Sequence, residues 1–399
     1  MNYTSISMKY VSFLFHIYQP PIQSDDIISK IVQESYLPLT KQILAFNNLK
    51  FTLNVNYSLT EHLDKIAPEV LDNIRQAYNN GNGHLELTTS GAYHPIFPLI
   101  PEAETIKQLE LNNEGNKNKL ISSFAPQGVF PPEMAFDPRL ATLFHYLGYK
   151  WTVADDFSLG YYGIETPYNK IYTCDGVAVF LRSNFWSNKF ANYKDQWCWQ
   201  SAKEFVAELE DNLNDWIGEG DGYLIIALDG ETFGHHVKDL GEEFLFELFQ
   251  TFADSKHIEL ANFYDLLKIF KHITQFVPPS SWSMNEADVQ NRDYFSWWKS
   301  RGNKIQALQW EFTYYVLQKV GKITDENIKK ELNRALFSCQ YWWASFWNFD
   351  AGQIYNGAFN LMCILQHVAE LIHDNYEKIE EGERIFRQLV TEVEKGQIS

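Results

Sequence analysis

The 399-residue chain is short of cysteine, of cations and of long apolar runs, and each shortage removes a class of function. Its four cysteines, Cys174, Cys198, Cys339 and Cys363, form no CxxC pair and have no zinc-ribbon spacing; the reading they favour is buried free thiols in a reducing compartment. Lys and Arg number 33 against 51 Asp and Glu, a formal net charge of −18. A field of that sign repels phosphate backbones and anionic headgroups, so nucleic acid and membrane surfaces are not expected as partners. No segment approaches the roughly 20 apolar residues of a membrane span. The opening stretch contains only the short run Val11–Phe15, without a basic n-region or a small-residue cleavage site, and a cytoplasmic location is the expectation. Internal repeats and low-complexity tracts are also missing.

What is present is material for a large core: 45% hydrophobic and 21% charged residues, a globular composition. The chain is too long for one ordinary core, which predicts a large catalytic domain and a smaller second unit. Aromatic residues reach 16%, with 12 Trp, 22 Tyr and 29 Phe. Most rings fill cores whatever the function, but rings with a polar edge also suit neutral ligands that offer apolar faces and hydroxyls, as sugars do.

Up to about residue 275, short β-branched or aromatic runs alternate with helix-like stretches, the pattern of a parallel sheet with crossover helices. Seven runs read as strands: Tyr10–His16, Phe51–Tyr57, His84–Thr89, Gly128–Glu133, Trp151–Ala154, Val177–Arg182 and Tyr223–Asp229. Most are nearly continuous apolar runs, as strands buried on both faces require, and seven suggest a closed or nearly closed barrel. Asp137-Pro138 supplies a helix cap and first position, and Gly148 a helix stop. Around Val277-Pro278-Pro279-Ser280-Ser281 the pattern changes. Beyond it Ile305, Leu308, Phe312, Tyr315 and Val316 recur at helical spacing, followed by similar stretches at 325–347, 354–373 and 376–395. The expected division is a barrel over 1–275 and an α-helical bundle over 276–399.

In parallel barrels the C-terminal ends of the strands line the site. Polar residues fall there: His16, Tyr18 and Gln19 after strand one, Glu133 after strand four, Asp155 and Asp156 after strand five, Arg182 after strand six, and Asp229 and Glu231 after strand seven. Glycosidic cleavage needs two carboxyl groups, one to protonate the leaving oxygen and one to trap the oxocarbenium-like centre. Glu133, approached through two prolines, and Asp229, which closes the apolar run Tyr223–Leu228 in a setting that raises a carboxyl pKa, are the best pair. Either alone would more often be a cap or ion-pair partner than a catalyst.

Taken together, these segments resemble the five motifs of glycoside hydrolase family 57, in order and across nearly the whole chain. His16-Ile17-Tyr18-Gln19-Pro20 resembles HxHQP, with Tyr18 standing where the family's second histidine falls. Gly83-His84-Leu85-Glu86 through His94-Pro95-Ile96 is similar to the second motif, and Phe130-Pro131-Pro132-Glu133-Met134-Ala135-Phe136 to the third. Asp229-Gly230-Glu231-Thr232-Phe233-Gly234 resembles DGExFG, and Gln340-Tyr341-Trp342-Trp343 the fifth. The resemblance implies a (β/α)7 barrel followed by a helical bundle. It implies a retaining α-glucan hydrolase or 4-α-glucanotransferase acting on starch, glycogen or maltooligosaccharides, with Glu133 as nucleophile, Asp229 as acid/base and no required metal or other cofactor. His16, Tyr18, Gln19, Glu86, His94, Asp156, Arg182, Glu231 and Trp342 are the candidate sugar contacts. For several a structural role competes: His16 as a hydrogen-bonded strand-end histidine, Glu86 as an ion-pair partner, one of Asp155 and Asp156 as a turn cap, Arg182 as a loop anchor. Adjacent Trp342 and Trp343 cannot share one helix face, so one of them is core.

Two rivals have their own signatures. A metal-dependent deacetylase or mannosidase would need Asp and His ligands at strand ends. Strand one ends without an aspartate, and none of the eleven histidines forms an HxxxxH or HExxH pair. The other is a non-catalytic glucan-binding or regulatory barrel that has lost turnover; the presence of both carboxylates weighs against it, and a maltooligosaccharide turnover assay discriminates.

Overall fold

A computed structural model describes residues 7–80, 83–191, 201–218, 220–371 and 379–398. The chain divides into two compact units, Met1–Ala92 with Pro101–Trp282, and Tyr93–Ile100 with Ser283–Ser399.

Among the described residues the first unit has ten strands: β1 (Lys9–Ile17), β2 (Phe51–Val55), β3 (Leu85–Thr88), β4 (Gly128–Val129), β5 (Trp151–Asp155), β6 (Lys170–Cys174), β7 (Val177–Arg182), β8 (Gly222–Asp229), β9 (Ile258–Leu260) and β10 (Lys271–Thr274). Seven of them, those read from the sequence, run parallel in the order β4-β5-β7-β8-β1-β2-β3. The ring closes where Thr89 pairs with Val129, through Thr89 N to Gly128 O at 3.0 Å and Phe130 N to Thr89 O at 2.8 Å. The result is a (β/α)7 barrel.

The other three strands lie outside the ring. β6 is antiparallel to β7, β10 extends β6, and β9 joins the first residues of β1. β9 has only three residues and β10 is exposed along its whole length, so neither carries a strand's apolar signature. β4 is shorter than its expected span because Pro131 and Pro132 have no N–H to give a ladder. Its Gly128 is obligatory, since a Cβ there would overlap the Trp151 indole.

Alternation along each strand sorts residues into two cores. Val11, Phe13, Phe15 and Ile17 of β1, Phe51, Leu53 and Val55 of β2, and Leu224, Ile226 and Leu228 of β8 pack outward against the helices. Leu14, Trp151, Val153, Ala178, Phe180, Tyr223, Ile225 and Ala227 fill the barrel interior. By the same period His16, Asn54, Thr88, Asp155, Arg182 and Asp229 are the last inward residues of their strands.

Helices cover the ring. One runs Pro138–Tyr146, capped by Asp137, whose side chain accepts from Arg139 N at 3.0 Å, and it is followed by Gly148 at φ 85°. The Pro278–Ser281 segment, where the division was expected, stays with the barrel unit. Phe136 and Ser280 exchange backbone hydrogen bonds of 2.8 and 3.0 Å, and Asp155 N donates to Ser280 Oγ at 3.1 Å.

In the second unit, helices Lys304–Val320, Glu326–Ala335, Ala351–Leu371 and Glu380–Ile398 bury Phe312, Val316, Leu332, Ile354, Leu365, Leu389 and Val393 together. Among the described residues Cys174, Cys339 and Cys363 form no disulfide, and Cys198 lies outside the described residues. Among the described residues no helix is long and apolar enough to cross a membrane.

Candidate active site

Strand register sets one layer of side chains at the barrel mouth. His16 is level with Asn54 on one side and with Asp229 on the other, Asn54 is level with Thr88, and Asp155 is level with Arg182. His16 Nδ1 bonds Asn54 Oδ1 at 2.7 Å, and its ring stacks on Phe130 with centroids 4.5 Å apart. Burial pushes the imidazole down to about 4, so it is neutral at neutral pH.

Glu133 follows β4 in a turn closed by Met134 N to Pro131 O at 2.8 Å. Pro132 presets the second position of this turn, and Glu133 takes the third with φ 60° and ψ 19°. That is the left-handed conformation which type II turns normally give to glycine or asparagine. A glutamate held there costs on the order of 1–2 kcal/mol, so the fold spends stability to direct this carboxylate. Trp282 Nε1 donates to Glu133 Oε2 at 3.0 Å.

The Trp282 ring links Glu133 to the other side of the mouth. It stands edge-on to His16 and Phe130 at 6.0 and 5.8 Å, and Arg182 Cζ lies 6.0 Å from its centroid. Arg182 is itself clamped: Nη1 donates to Asp155 Oδ2 at 2.6 Å, Nε to Ala227 O at 2.7 Å and Nη2 to Asn188 Oδ1 at 2.8 Å. Burial pushes the Asp229 carboxyl up to about 7, and the Arg182 charge opposes that rise. The indole that holds Glu133 thus lies beside the guanidinium whose charge acts on Asp229.

The residues after Asp229 are packed tightly. A Cβ on Gly230 would overlap Ile17 and one on Gly234, at φ 94°, would overlap the Glu34 carbonyl, which explains both glycines of Asp229–Gly234. Glu231 is buried, and its Oε1 accepts from Gln19 Nε2 at 3.2 Å, Tyr18 N at 3.4 Å and the Tyr36 hydroxyl. Burial first, then the neighbouring Asp229 charge, raises the Glu231 carboxyl.

The expected residues thus separate into groups. His16, Tyr18, Glu133, Arg182 and Asp229 come together at the mouth, with Gln19 and Glu231 just behind them. Tyr18 is nearly buried and its ring lies parallel to His16 at 6.1 Å. Asp155 is the cap, accepting from Phe157 N at 3.0 Å, while Asp156 accepts from Asn184 N at 2.9 Å. Glu86 is one layer lower: level with Thr52, it accepts from Trp151 Nε1 at 2.9 Å and Tyr264 N at 3.0 Å, and Asn54 is the residue against His16 Nδ1. His94 and Trp342 belong to the second unit. There His94, at φ 61°, bonds Ser338 Oγ through Nδ1 at 2.9 Å, and Trp342 stacks on Trp297 at 6.2 Å while Trp343 packs against the helical core.

Sequence reasoning missed Trp282, Asn54, Phe130 and Tyr36. Asn54 and Phe130 were legible as inward strand-end positions, whereas nothing in the sequence separates Trp282 from eleven other tryptophans. Among the described residues no group of three or more His, Cys, Asp or Glu is arranged to hold a metal ion.

A parallel barrel that brings two carboxyl groups from separate strands to its C-terminal mouth has the architecture of a barrel glycoside hydrolase. The sequence profile of glycosyl hydrolase family 57 matches residues 13–279, about two thirds of the chain, and the chain belongs to that family. A 4-α-glucanotransferase from Thermococcus litoralis is 23% identical over 294 residues, 69% of this chain and 42% of the relative. An α-amylase from Pyrococcus horikoshii is 26% identical over 152 residues, 38% of this chain and 23% of the relative. The chain therefore spans about a quarter of the length of the curated α-amylases it matches. The crystal structure of an α-amylase from Thermotoga maritima superposes with a TM-score of 0.70 at 14% identity, covering 97% of this chain and 99% of that one, a likeness of fold.

Proposed function

We propose that the protein is a retaining hydrolase or transglycosylase that cleaves α-1,4-glucosidic bonds of starch, glycogen or maltooligosaccharides by double displacement. The observation that carries this reading is Glu133, held in a left-handed turn with its carboxylate on the Trp282 N–H, at the same mouth as the elevated Asp229 carboxyl. In the first step Asp229 gives its proton to the glycosidic oxygen as that bond breaks, and Glu133 attacks the anomeric carbon to form a β-linked glycosyl ester. In the second, Asp229 takes a proton from water or from an acceptor sugar hydroxyl, which displaces Glu133 and restores the α configuration. Water yields hydrolysis and a sugar yields transfer. A group near 7 suits both halves of this cycle.

Within the proposal His16, Tyr18 and Asp156 face sugar, Arg182 tunes Asp229, and Gln19 with Glu231 frames the site. Sugar contacts by Glu86, His94 and Trp342 rest on the family resemblance alone. The substrate is the expected partner, nucleic acid and membrane are not, and a cytoplasmic location belongs to the same reading. Maltoheptaose tests the reading: a disproportionation ladder marks transfer, and short products with new reducing ends mark hydrolysis. Failure to turn over any α-glucan, with the folded protein in hand, would sink it.

A further inference from the structure

The helical stretch after β1 is not uniform. Between Asp25–Ile31 and Leu37–Ala45 it widens into a π-helical turn, Val32–Tyr36, and three consecutive side chains of that turn grip the segment that follows Asp229. Glu34 pairs with His235 Nδ1 at 2.6 Å and Lys238 Nζ at 2.7 Å. Ser35 Oγ donates to Gly230 O at 2.8 Å. The Tyr36 hydroxyl donates to Glu231 Oε1 and accepts from Gln19 Nε2 at 3.1 Å. Successive residues of a regular α-helix point about 100° apart, so a regular turn would not send three in a row to one loop. A π-turn inside an α-helix is uncommon and recurs at functional sites. Glu34, Ser35 and Tyr36 are not among the groups that act on the substrate in the proposed reaction.

We propose that Tyr36 is a positioning residue for the proton-transfer step: its hydroxyl fixes Glu231, and through the short link Asp229-Gly230-Glu231 it sets the direction of the Asp229 carboxyl. This rests on the reading of Asp229 as general acid. The geometry gives Tyr36 that leverage. Glu231 is buried, three donors converge on one of its oxygens, and the glycine between it and Asp229 is pinned by Ser35 behind and Ile17 beside it. Removing the hydroxyl leaves the buried Glu231 carboxyl short of a donor. The carboxyl that must reach the glycosidic oxygen then loses its fixed approach. Glu133, held by Trp282 from another part of the chain, is untouched.

That asymmetry supplies the test, because only some leaving groups need an acid. Tyr36→Phe keeps the ring and its packing and removes only the hydroxyl. On maltoheptaose kcat/KM should fall about tenfold, a part of the roughly 10²–10⁴ a general acid contributes. On an aryl α-maltoside whose dinitrophenolate departs without a proton, kcat/KM, which reports steps only through bond cleavage, should change less than about twofold. Asp229→Ala, run in parallel, should show the same split at larger size. Glu231→Gln, read the same way, decides the matter should Tyr36→Phe fail to fold. Equal losses on both substrates would make Tyr36 a structural tie, and no loss on either would give it no part; each overturns the inference. If Asp229→Ala itself leaves maltoheptaose turnover intact, the failure belongs to the reading of Asp229 instead.

Discussion

The Trp282 indole N–H meets Glu133 Oε2 at 3.0 Å, so a residue 149 positions away in sequence orients a carboxylate that the local turn already holds in a left-handed conformation. Two devices act on one side chain: the turn fixes its backbone and the indole fixes its oxygen. Trp282→Phe keeps an aromatic face towards His16 and Phe130, with a smaller ring, and removes the donor. We expect kcat on maltooligosaccharides to drop by about tenfold to a hundredfold, with Tm within a few degrees of the parent, since misplacing a reacting group by about 1 Å costs about that much. Unchanged kcat would show that the turn alone suffices.

Arg182 couples two properties. Its charge holds the Asp229 carboxyl below where burial alone would place it, and it neutralises the buried Asp155. Asp229 acts as an acid while protonated, so kcat/KM should fall as pH rises through about 7. Arg182→Met removes the opposing charge, raises Asp229 further and moves that basic limb to higher pH, whereas Arg182→Lys leaves it near the parent. Arg182→Met should also cost about 3–5 kcal/mol by leaving Asp155 unpaired, and adding Asp155→Leu should recover most of that stability. A basic limb that moves down in Arg182→Met would contradict the assignment of the limb to Asp229.

Glu86 offers a test of the layer beneath the site. Burial pushes its carboxyl up to about 7, so between the unfolded value near 4.3 and that point the folded protein binds the extra proton. Stability from this group is complete at low pH and is lost as pH rises through that window. Glu86→Gln cannot ionise, so the difference in stability between the parent and Glu86→Gln should shift against the parent as pH rises from about 4.5 to 7. Chemical denaturation at four or five pH values measures this, and a flat difference would mean that Glu86 is not held in a desolvated layer.

The parts of the molecule readable in sequence are those with a periodic cause. The seven ring strands were legible because strands covered on both faces are apolar throughout, and the candidate carboxylates because they follow those runs directly. What was hidden has no local signature. β10 is exposed along its length, β9 has three residues, and Tyr93–Ile100 groups with the helical unit through contacts distant in sequence, such as Tyr314 with Leu99 O. Pro278 and Pro279 punctuate the sequence where a boundary was expected, yet the chain continues on the barrel as far as Trp282. The π-turn that delivers Tyr36 reads as ordinary amphipathic helix, because one extra residue in a turn leaves no compositional mark.

The pairing of Glu133 as nucleophile with Asp229 as acid/base is tested most directly by the anomeric configuration of azide products. With an activated α-glucosyl fluoride, Glu133→Ala leaves room for azide to attack the substrate itself and should give the β-azide. Asp229→Ala still forms the β-linked ester with Glu133, so azide should intercept that ester and give the α-azide. The opposite stereochemistry in the two variants would exchange the roles, and near-parental turnover of unactivated maltoheptaose by either variant would remove that residue from the reaction.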